Sequence, residues 1–271
     1  MAFRIPNNVA AINVHRWLEN AQFNLNRSLE RLASGYRINR AADDAAGLAI
    51  STEFRQQIVS LRMAYNNASQ AIAMIQVAEG SADKITSIIH RLKELATEAA
   101  SDTVDDDRRS YLNDEAQTLI QEIDRIVDST KYAGSTLFNG NFTFQVGYEN
   151  QTYCRISLSV SDLHSDDLGI NDISLSSQAS AQAALDSLDN ALTTVNSVRA
   201  DLGAVQNRLE YTRSNLQVTI ENYVASESTI RDVDMAAEMA NFTKNQILVQ
   251  TSMAMLAQAN ALPQSIIQLL R

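Results

Sequence analysis

Between residues 7 and 262 the sequence contains no proline; its only two are Pro6 and Pro263. A proline inside a helix costs roughly 3 kcal/mol, so this distribution leaves room for helices of unusual length. Glycine is scarce too, with eight in 271 residues, and aromatics make up only 6%. Abundant Ala, Leu, Asn, Gln and Ser suit long helices better than a compact aromatic core. Cys154 is the sole cysteine, which excludes an intramolecular disulfide and reads as a small core hydrophobe. No stretch reaches 18 consecutive apolar residues, so no transmembrane helix or membrane insertion is expected. The start, MAFRIPNNVAAINVHRW, lacks the long apolar run of an ordinary cleaved signal peptide. Basic residues are outnumbered, 22 against 32, for a net charge of −10. That balance argues against general binding to nucleic acid or anionic membrane. His15, His90 and His164 lie far apart, and neither H-E-x-x-H nor a phosphate-binding glycine loop occurs. No enzyme activity, metal or cofactor is expected.

What is present is periodicity. Val14, Leu18, Ala21, Leu25, Leu29 and Leu32 form one stripe over a helix spanning 9–33, with Gly35 as its left-handed C-terminal cap. Next comes the longest run, with Phe54, Ile58, Leu61, Tyr65, Ala68, Ile72 and Ile75. It continues through Ala78, Ala82, Ile85, Ile89, Leu92, Ala96 and Ala99. About 45 residues at 1.5 Å each make a rod of roughly 70 Å, the mark of a coiled coil or bundle. The irregular Ile75–Ala78 spacing beside Gly80 suggests a local kink. A charged connection follows, in which Asp105, Asp106 and Asp107 suit the start of a helix over about 107–128. That helix carries Leu112, Ala116, Leu119, Ile123 and Ile126 on one face.

The period then changes from helical to alternating. Phe142, Phe144 and Val146, then Ile156, Leu158 and Val160, predict a β-hairpin within an insert at about 133–177. Helical spacing resumes at 177 with Ala181, Leu185, Leu188, Leu192, Val195, Val198, Leu202, Val205 and Leu209. After the charged break STIRDVDM, a last helix carries Met235, Met239, Phe242, Val249, Met253 and Leu256, and Pro263 is expected to end it. The fold expected is mainly α: a long antiparallel helical bundle with a small β-hairpin insert and terminal helices pairing at one end. The order is palindromic, and the stripes of the terminal helices are too narrow to be buried in a pair standing alone. They call for neighbouring copies, or for a tail that folds on binding.

Two stretches near the start, SLERLASGYRINRAADDAAGLAIS and AIAMIQVAEGSADKITSIIHRLKELATEAA, resemble the N-terminal signature of bacterial flagellins. VRADLGAVQNRLE and STIRDVDMAAEMANFTKNQILVQTSMAMLAQANALPQSIIQLLR resemble their C-terminal half. The match covers most of 1–130 and 178–271 and leaves only a short middle, so the resemblance implies a short form without a large variable outer domain. The start departs from the family's frequent Ile-Asn-Thr-Asn.

The resemblance implies a secreted structural subunit that polymerises with itself, and with other flagellins, into the extracellular flagellar filament for motility. Residues 1–43 become an inner-tube helix and linker, 44–232 a helical bundle carrying the insert, and 233–271 the second inner-tube helix. Leu18, Leu25, Met239, Phe242 and Leu256 take terminal assembly contacts. Leu269, Leu270 and Arg271 resemble the tail read by cytosolic sensors, and the C-terminal helix the segment held by an export chaperone. Cap and junction proteins are further implied partners. Gly35, Arg37, Arg40, Asp43 and Asp44 match the linker, where the arginines are expected to pair with the aspartates or with a neighbouring copy and hold register. A solvated turn with ion pairs worth under about 1 kcal/mol is the alternative. Arg91, Leu95 and Glu115 match the face read by a Toll-like innate receptor and buried between protofilaments, with Lys93 where Arg is frequent. Two other readings compete, a hook–filament junction protein of the same superfamily and a secreted helical adaptor.

Overall fold

A computed structural model describes residues 8–269, with side chains through Ala261. Five helices, α1 (Val9–Ser34), α2 (Ala45–Ala99), α3 (Asp106–Ser129), α4 (Gln178–Arg231) and α5 (Met235–Leu269), account for most of it. Between α3 and α4 lie four short strands: β1 (Lys131–Tyr132), β2 (Ser135–Thr136), β3 (Gly140–Gln145) and β4 (Arg155–Val160). The chain divides into two compact units. One runs Gln57–Glu221; the other joins the described residues up to Gln56 with those from Asn222 on, so the division falls within α2 and α4.

The 57–221 unit is built on the α2 stripe. Ile58, Leu61, Ala68, Ile72, Ile75, Ala78, Ala82, Ile85, Ile89, Leu92, Ala96 and Ala99 are all buried, as the spacing requires. The helix is assigned without interruption through Gly80, which is exposed. Ala181, Leu188, Val195, Val198, Leu202 and Leu209 of α4, and Ala116, Ile120, Ile123 and Val127 of α3, join the same core. Alanines are interspersed with isoleucine, valine and leucine along these faces, which lets long helices approach closely while filling the seam. Asp105 caps α3, accepting from Arg108 N at 3.2 Å. Arg109 is buried at the end of α2, donating from Nε to Ala99 O and from Nη2 to Ser101 O, each at 3.0 Å. A cation there offsets the negative end of the helix.

The expected hairpin is β3–β4, antiparallel, with Phe142 opposite Leu158 and Phe144 opposite Ile156. Ile156, Leu158 and Val160 are buried in the helical core, which supplies the packing that two strands alone lack. Cys154 is buried, and its Sγ lies 2.4 Å from where a Cβ on Gly147 would stand, so only glycine fits there. The strands β1 and β2 form a second hairpin at 131–136, turning through Ala133 (φ 50°) and Gly134 (φ 89°). The loop between β4 and α4 is laced to α3. Asn113 accepts from Leu175 N, Gln117 donates to Ile173 O, and Asp124 accepts from the backbone and hydroxyl of Ser165, all within 2.7–2.9 Å. His164 joins that lacing, with Nδ1 2.5 Å from Asp162 and Nε2 3.5 Å from Asp128.

The terminal unit pairs α1 with α5, antiparallel. Asn8 at the start of α1 meets Ala259, and Arg31 near its end meets Glu238. The last helix does not stop at Pro263; it continues to Leu269. Proline removes one helical donor, to the carbonyl of Ala259, and Asn8 Nδ2 donates to that oxygen instead at 2.8 Å.

Candidate functional site

The seam between α1 and α5 follows alternating spacings of three and four. On α1 the inward positions are Ala11, Val14, Leu18, Ala21, Leu25, Ser28 and Leu32. On α5 they are Glu238, Phe242, Asn245, Val249, Ser252, Leu256 and Ala259, all buried or half-buried. This is the register of a two-stranded coiled coil. Leu29 is not in it: two successive steps of four carry it round the helix, it is exposed, and Ser28 takes its place. Met235, Met239 and Met253 are exposed as well, although their spacing suggested the stripe. Leu18, Leu25, Phe242 and Leu256 sit half-buried in the seam. Leu269, Leu270 and Arg271 lie outside the described side chains.

Away from the seam this unit exposes a second set of large apolar groups. Val9, Ile12, Trp17 and Phe23 on α1, with Ile247, Leu248 and Met255 on α5, are all solvent-facing, Phe23 by 67%. The spacing places Phe23 and Ile247 opposite the seam. Exposed apolar groups in such density mark an interaction surface.

The linker between α1 and α2 is a hydrogen-bonded structure. Gly35 has φ 75° and donates to Arg31 O at 2.9 Å, the left-handed cap expected of it. Asp44 caps α2 by accepting from Gly47 N at 2.9 Å. A Cβ on Gly47 would stand 2.5 Å from Asp44 Oδ2 and 2.7 Å from Ile38 Cδ1, and Ile38 is fully buried. Both glycines of this bridge are thus accounted for, one by conformation and one by close approach.

The charged pairs differ from the expected set. Asp43 pairs with Arg27 at 2.7 Å and accepts from the backbone N–H groups of Asn39 and Arg40. Burial pushes its carboxyl up, but those backbone donors and the Arg27 guanidinium outweigh this and hold it below the usual carboxylate range. The Arg40 guanidinium reaches back to Glu30 at 2.9 Å. The Arg37 guanidinium donates to Ile230 O, and its backbone N–H to Arg231 O at 2.7 Å. Neither arginine side chain pairs with Asp43 or Asp44: Asp43 is taken by the backbone N–H groups of Asn39 and Arg40 and by the Arg27 side chain, and Asp44 by Gly47 N. Val233 N donates to Gly35 O at 3.0 Å, and Arg231 stacks over Tyr36 at 4.4 Å, so the linker and the α4–α5 break brace each other. Ser28, Arg27, Arg31 and Glu238 escaped the sequence reading because an apolar scan passes over polar residues at seam positions. The Nε atoms of Arg27, Arg31 and Arg231 are buried without a hydrogen-bond partner, which makes this layer costly to close.

On the other unit Arg91 and Glu115 do meet. The guanidinium donates through Nε and Nη2 to Glu115 Oε1 at 3.1 and 2.9 Å, and through Nη1 to Glu94 at 3.0 Å. Hydrogen bonds to Glu94 and Glu115 raise the pKa of Arg91 further. Lys93 pairs with Asp189 on α4. Leu95 does not belong to this face: it is 1% exposed and packs in the bundle core, one turn from Leu92 and Ala99. Among the described residues no group of His, Cys, Asp or Glu could hold a metal ion, and no helix is long and apolar enough to cross a membrane.

Residues 5–143 match the bacterial flagellin N-terminal helical region, and residues 185–270 the bacterial flagellin C-terminal helical region. The chain is 44% identical over 273 residues to a flagellin of Halalkalibacterium halodurans, covering 98% of this chain and 99% of that one. It is 40% identical over 284 residues to the flagellar filament 33 kDa core protein of Treponema phagedenis, with 98% and 99% covered. The crystal structure of Bacillus cereus flagellin shares the fold, with a TM-score of 0.51 at 24% identity over 56% of this chain and 88% of that one.

Proposed function

This chain belongs to the bacterial flagellin family, a structural subunit of the flagellar filament, and from that premise we propose how its two units divide the work of assembly. The terminal unit supplies the contacts that drive polymerisation, with residues 1–43 and 233–271 as the inner-tube segments. The 44–232 segment is the outer bundle. The observation that carries this reading is the exposed apolar set Val9, Ile12, Trp17, Phe23, Ile247, Leu248 and Met255. Burying one such side chain fully contributes about 1.5–3 kcal/mol; a lone pair of helices with a thin seam leaves that gain untaken, and copies packed on the outer face take it. The terminal helices therefore order as each subunit adds to the growing tip.

Within this reading Gly35, Arg37, Arg40, Asp43 and Asp44 form the linker that holds subunit register in the filament. Arg91 and Glu115 lie on a face that neighbouring subunits cover, and the same face, with Lys93 and Glu94, is the one a Toll-like receptor would meet on a free subunit. Leu95 takes no part, since it is buried. The α5 segment with Leu269, Leu270 and Arg271 is what an export chaperone or a cytosolic sensor would hold. Cap and junction proteins would meet the same terminal surfaces at the filament ends. The subunit works outside the cell, in the extracellular filament.

The test is an assembly experiment. The full chain and a variant lacking 1–40 and 236–271 are seeded with sheared filaments at neutral pH and imaged by electron microscopy. Long filaments from the full chain and none from the trimmed one are expected. Filaments from the trimmed chain would move the driving contacts to the bundle. A full chain that stays dispersed under every seeding condition would favour the junction protein or the adaptor.

A further inference from the structure

Proline 263 supplies no N–H. In a continuous α-helix the amide of residue 263 would donate to the carbonyl of Ala259, so that oxygen loses its helical partner. Ala259 is buried, and a buried carbonyl without a donor is costly. Yet α5 runs on to Leu269, and the oxygen has a donor from 251 positions away: Asn8 Nδ2, at 2.8 Å. The other arm of the same amide is also engaged, Asn8 Oδ1 accepting from Ala11 N at 3.1 Å as the N-cap of α1. One side chain thus starts the first terminal helix and covers the gap in the second.

We propose that Asn8 and Pro263 are a matched pair that makes the outer ends of α1 and α5 order together. Asn8 is a positioning residue for assembly. Proline withholds the local hydrogen bond that would let the end of α5 form by itself. Asparagine returns an equivalent bond only when α1 has docked. The C-terminal segment consequently stays weakly helical in a free chain, open to a holding partner, and is completed by the arrival of its own N-terminal helix. This rests on the reading that the terminal helices order as subunits add.

The experiment uses four full-length chains: wild type, Asn8→Ser, Pro263→Ala and the double variant. Serine remains a good N-cap but lacks the amide that reaches Ala259; alanine restores the missing N–H. Filaments are grown from each, and two quantities are read: hydrogen–deuterium exchange of the 260–269 segment and the temperature of dissociation into monomers. Asn8→Ser alone should speed exchange about fivefold, the size of one ordinary hydrogen bond, and lower the dissociation temperature. In the Pro263→Ala background the same change should do neither, because Ala259 O no longer needs Asn8. Should Asn8→Ser block assembly outright, rescue by Pro263→Ala supports the pair and failure to rescue overturns it. Equal effects of Asn8→Ser in both backgrounds, or none in either, also overturn it. A wild-type chain that forms no filament sinks the assembly reading and this coupling together, an outcome the wild-type control separates from the others.

Discussion

The two units of this chain are made of similar helices and bury them very differently. Among the described residues, the 57–221 unit encloses a continuous core running from Ala68 through Leu209. Its exposed large hydrophobics include four tyrosines, Tyr111, Tyr148, Tyr153 and Tyr211, whose hydroxyls suit water. Among the described residues of the terminal unit the buried apolar side chains are Ala21, Ile38 and Ala259, while Trp17, Phe23, Ile247 and Met255 face solvent. A helix pair has one seam and much outside. What separates the units is therefore who completes the core: the first is completed within its own chain, and the second, on the assembly reading proposed above, calls on other copies. The linker and the end of the seam hold Arg27–Asp43, Arg40–Glu30 and Arg31–Glu238, directional contacts that set register where apolar packing is too thin to do so.

The largest expected effect breaks the comparison from the core side. Ile89→Ala should cost about 2–5 kcal/mol in chemical denaturation of the monomer, as a cavity in a dry core does. Phe23→Ser should leave that transition within about 0.5 kcal/mol while abolishing seeded assembly. Next come two glycines. Gly47→Ala drives a methyl group into Asp44 and Ile38 and should cost about 1–3 kcal/mol, read as a lower filament dissociation temperature. Gly80→Ala meets nothing within 4 Å and should stabilise the monomer by up to about 1 kcal/mol.

Acidity sharpens the contrast, because Asp43 in one unit and His164 in the other respond to pH in opposite directions. Asp43 is held below its ordinary value of 3.8, so its contribution is present above that value and is lost as pH falls through the lowered one. Acidification from pH 5 to 3 should loosen the linker, seen as lower amide protection at 36–44 relative to the intrinsic exchange rate at each pH, and Asp43→Asn should flatten that response. For His164 burial acts downward, but hydrogen bonds and charge from Asp162 and Asp128 outweigh it and raise it above 6.5. Its contribution is complete below 6.5 and is lost as pH rises through the raised value. Denaturation of the 57–221 unit should show a small loss of stability from pH 6 to 8, absent in His164→Gln. The smallest effect is that of Arg91→Gln, which removes solvent-facing pairs and should leave denaturation unchanged while altering the salt dependence of assembly.

Much of this was legible because regular helices announce themselves. Twelve positions of the α2 stripe from Ile58 to Ala99 are buried where their spacing put them, and the alternation of Phe142, Phe144, Ile156 and Leu158 gave β3–β4. Failures arose wherever the deciding partner was remote or the signal was not apolar. Pro263 looked like a helix end because local chemistry says so; the donor that carries α5 past it is Asn8, at the far end of the sequence. Leu95 was assigned to a surface by resemblance, although its place one turn from Leu92 and Ala99 already put it on the buried face. The β1–β2 hairpin turns through Ala133 at positive φ, a residue that carries no turn signal. In the linker, arginines and aspartates close in sequence suggest each other, whereas within the chain Arg27, a seam neighbour two turns before Gly35, is the one that reaches Asp43.

The most direct measurement is an assembly assay on a chain altered only on the outer apolar face. Phe23→Glu, Ile247→Glu and Met255→Glu are combined in one variant and compared with Tyr153→Glu, a still more exposed site in the other unit. Monomer denaturation and seeded filament growth are followed for both. The account predicts an unchanged denaturation transition and no filaments for the triple variant, with filaments retained by Tyr153→Glu. Filaments from the triple variant at the wild-type rate would contradict it, since three charges would then sit harmlessly on the surface said to be reserved for other copies.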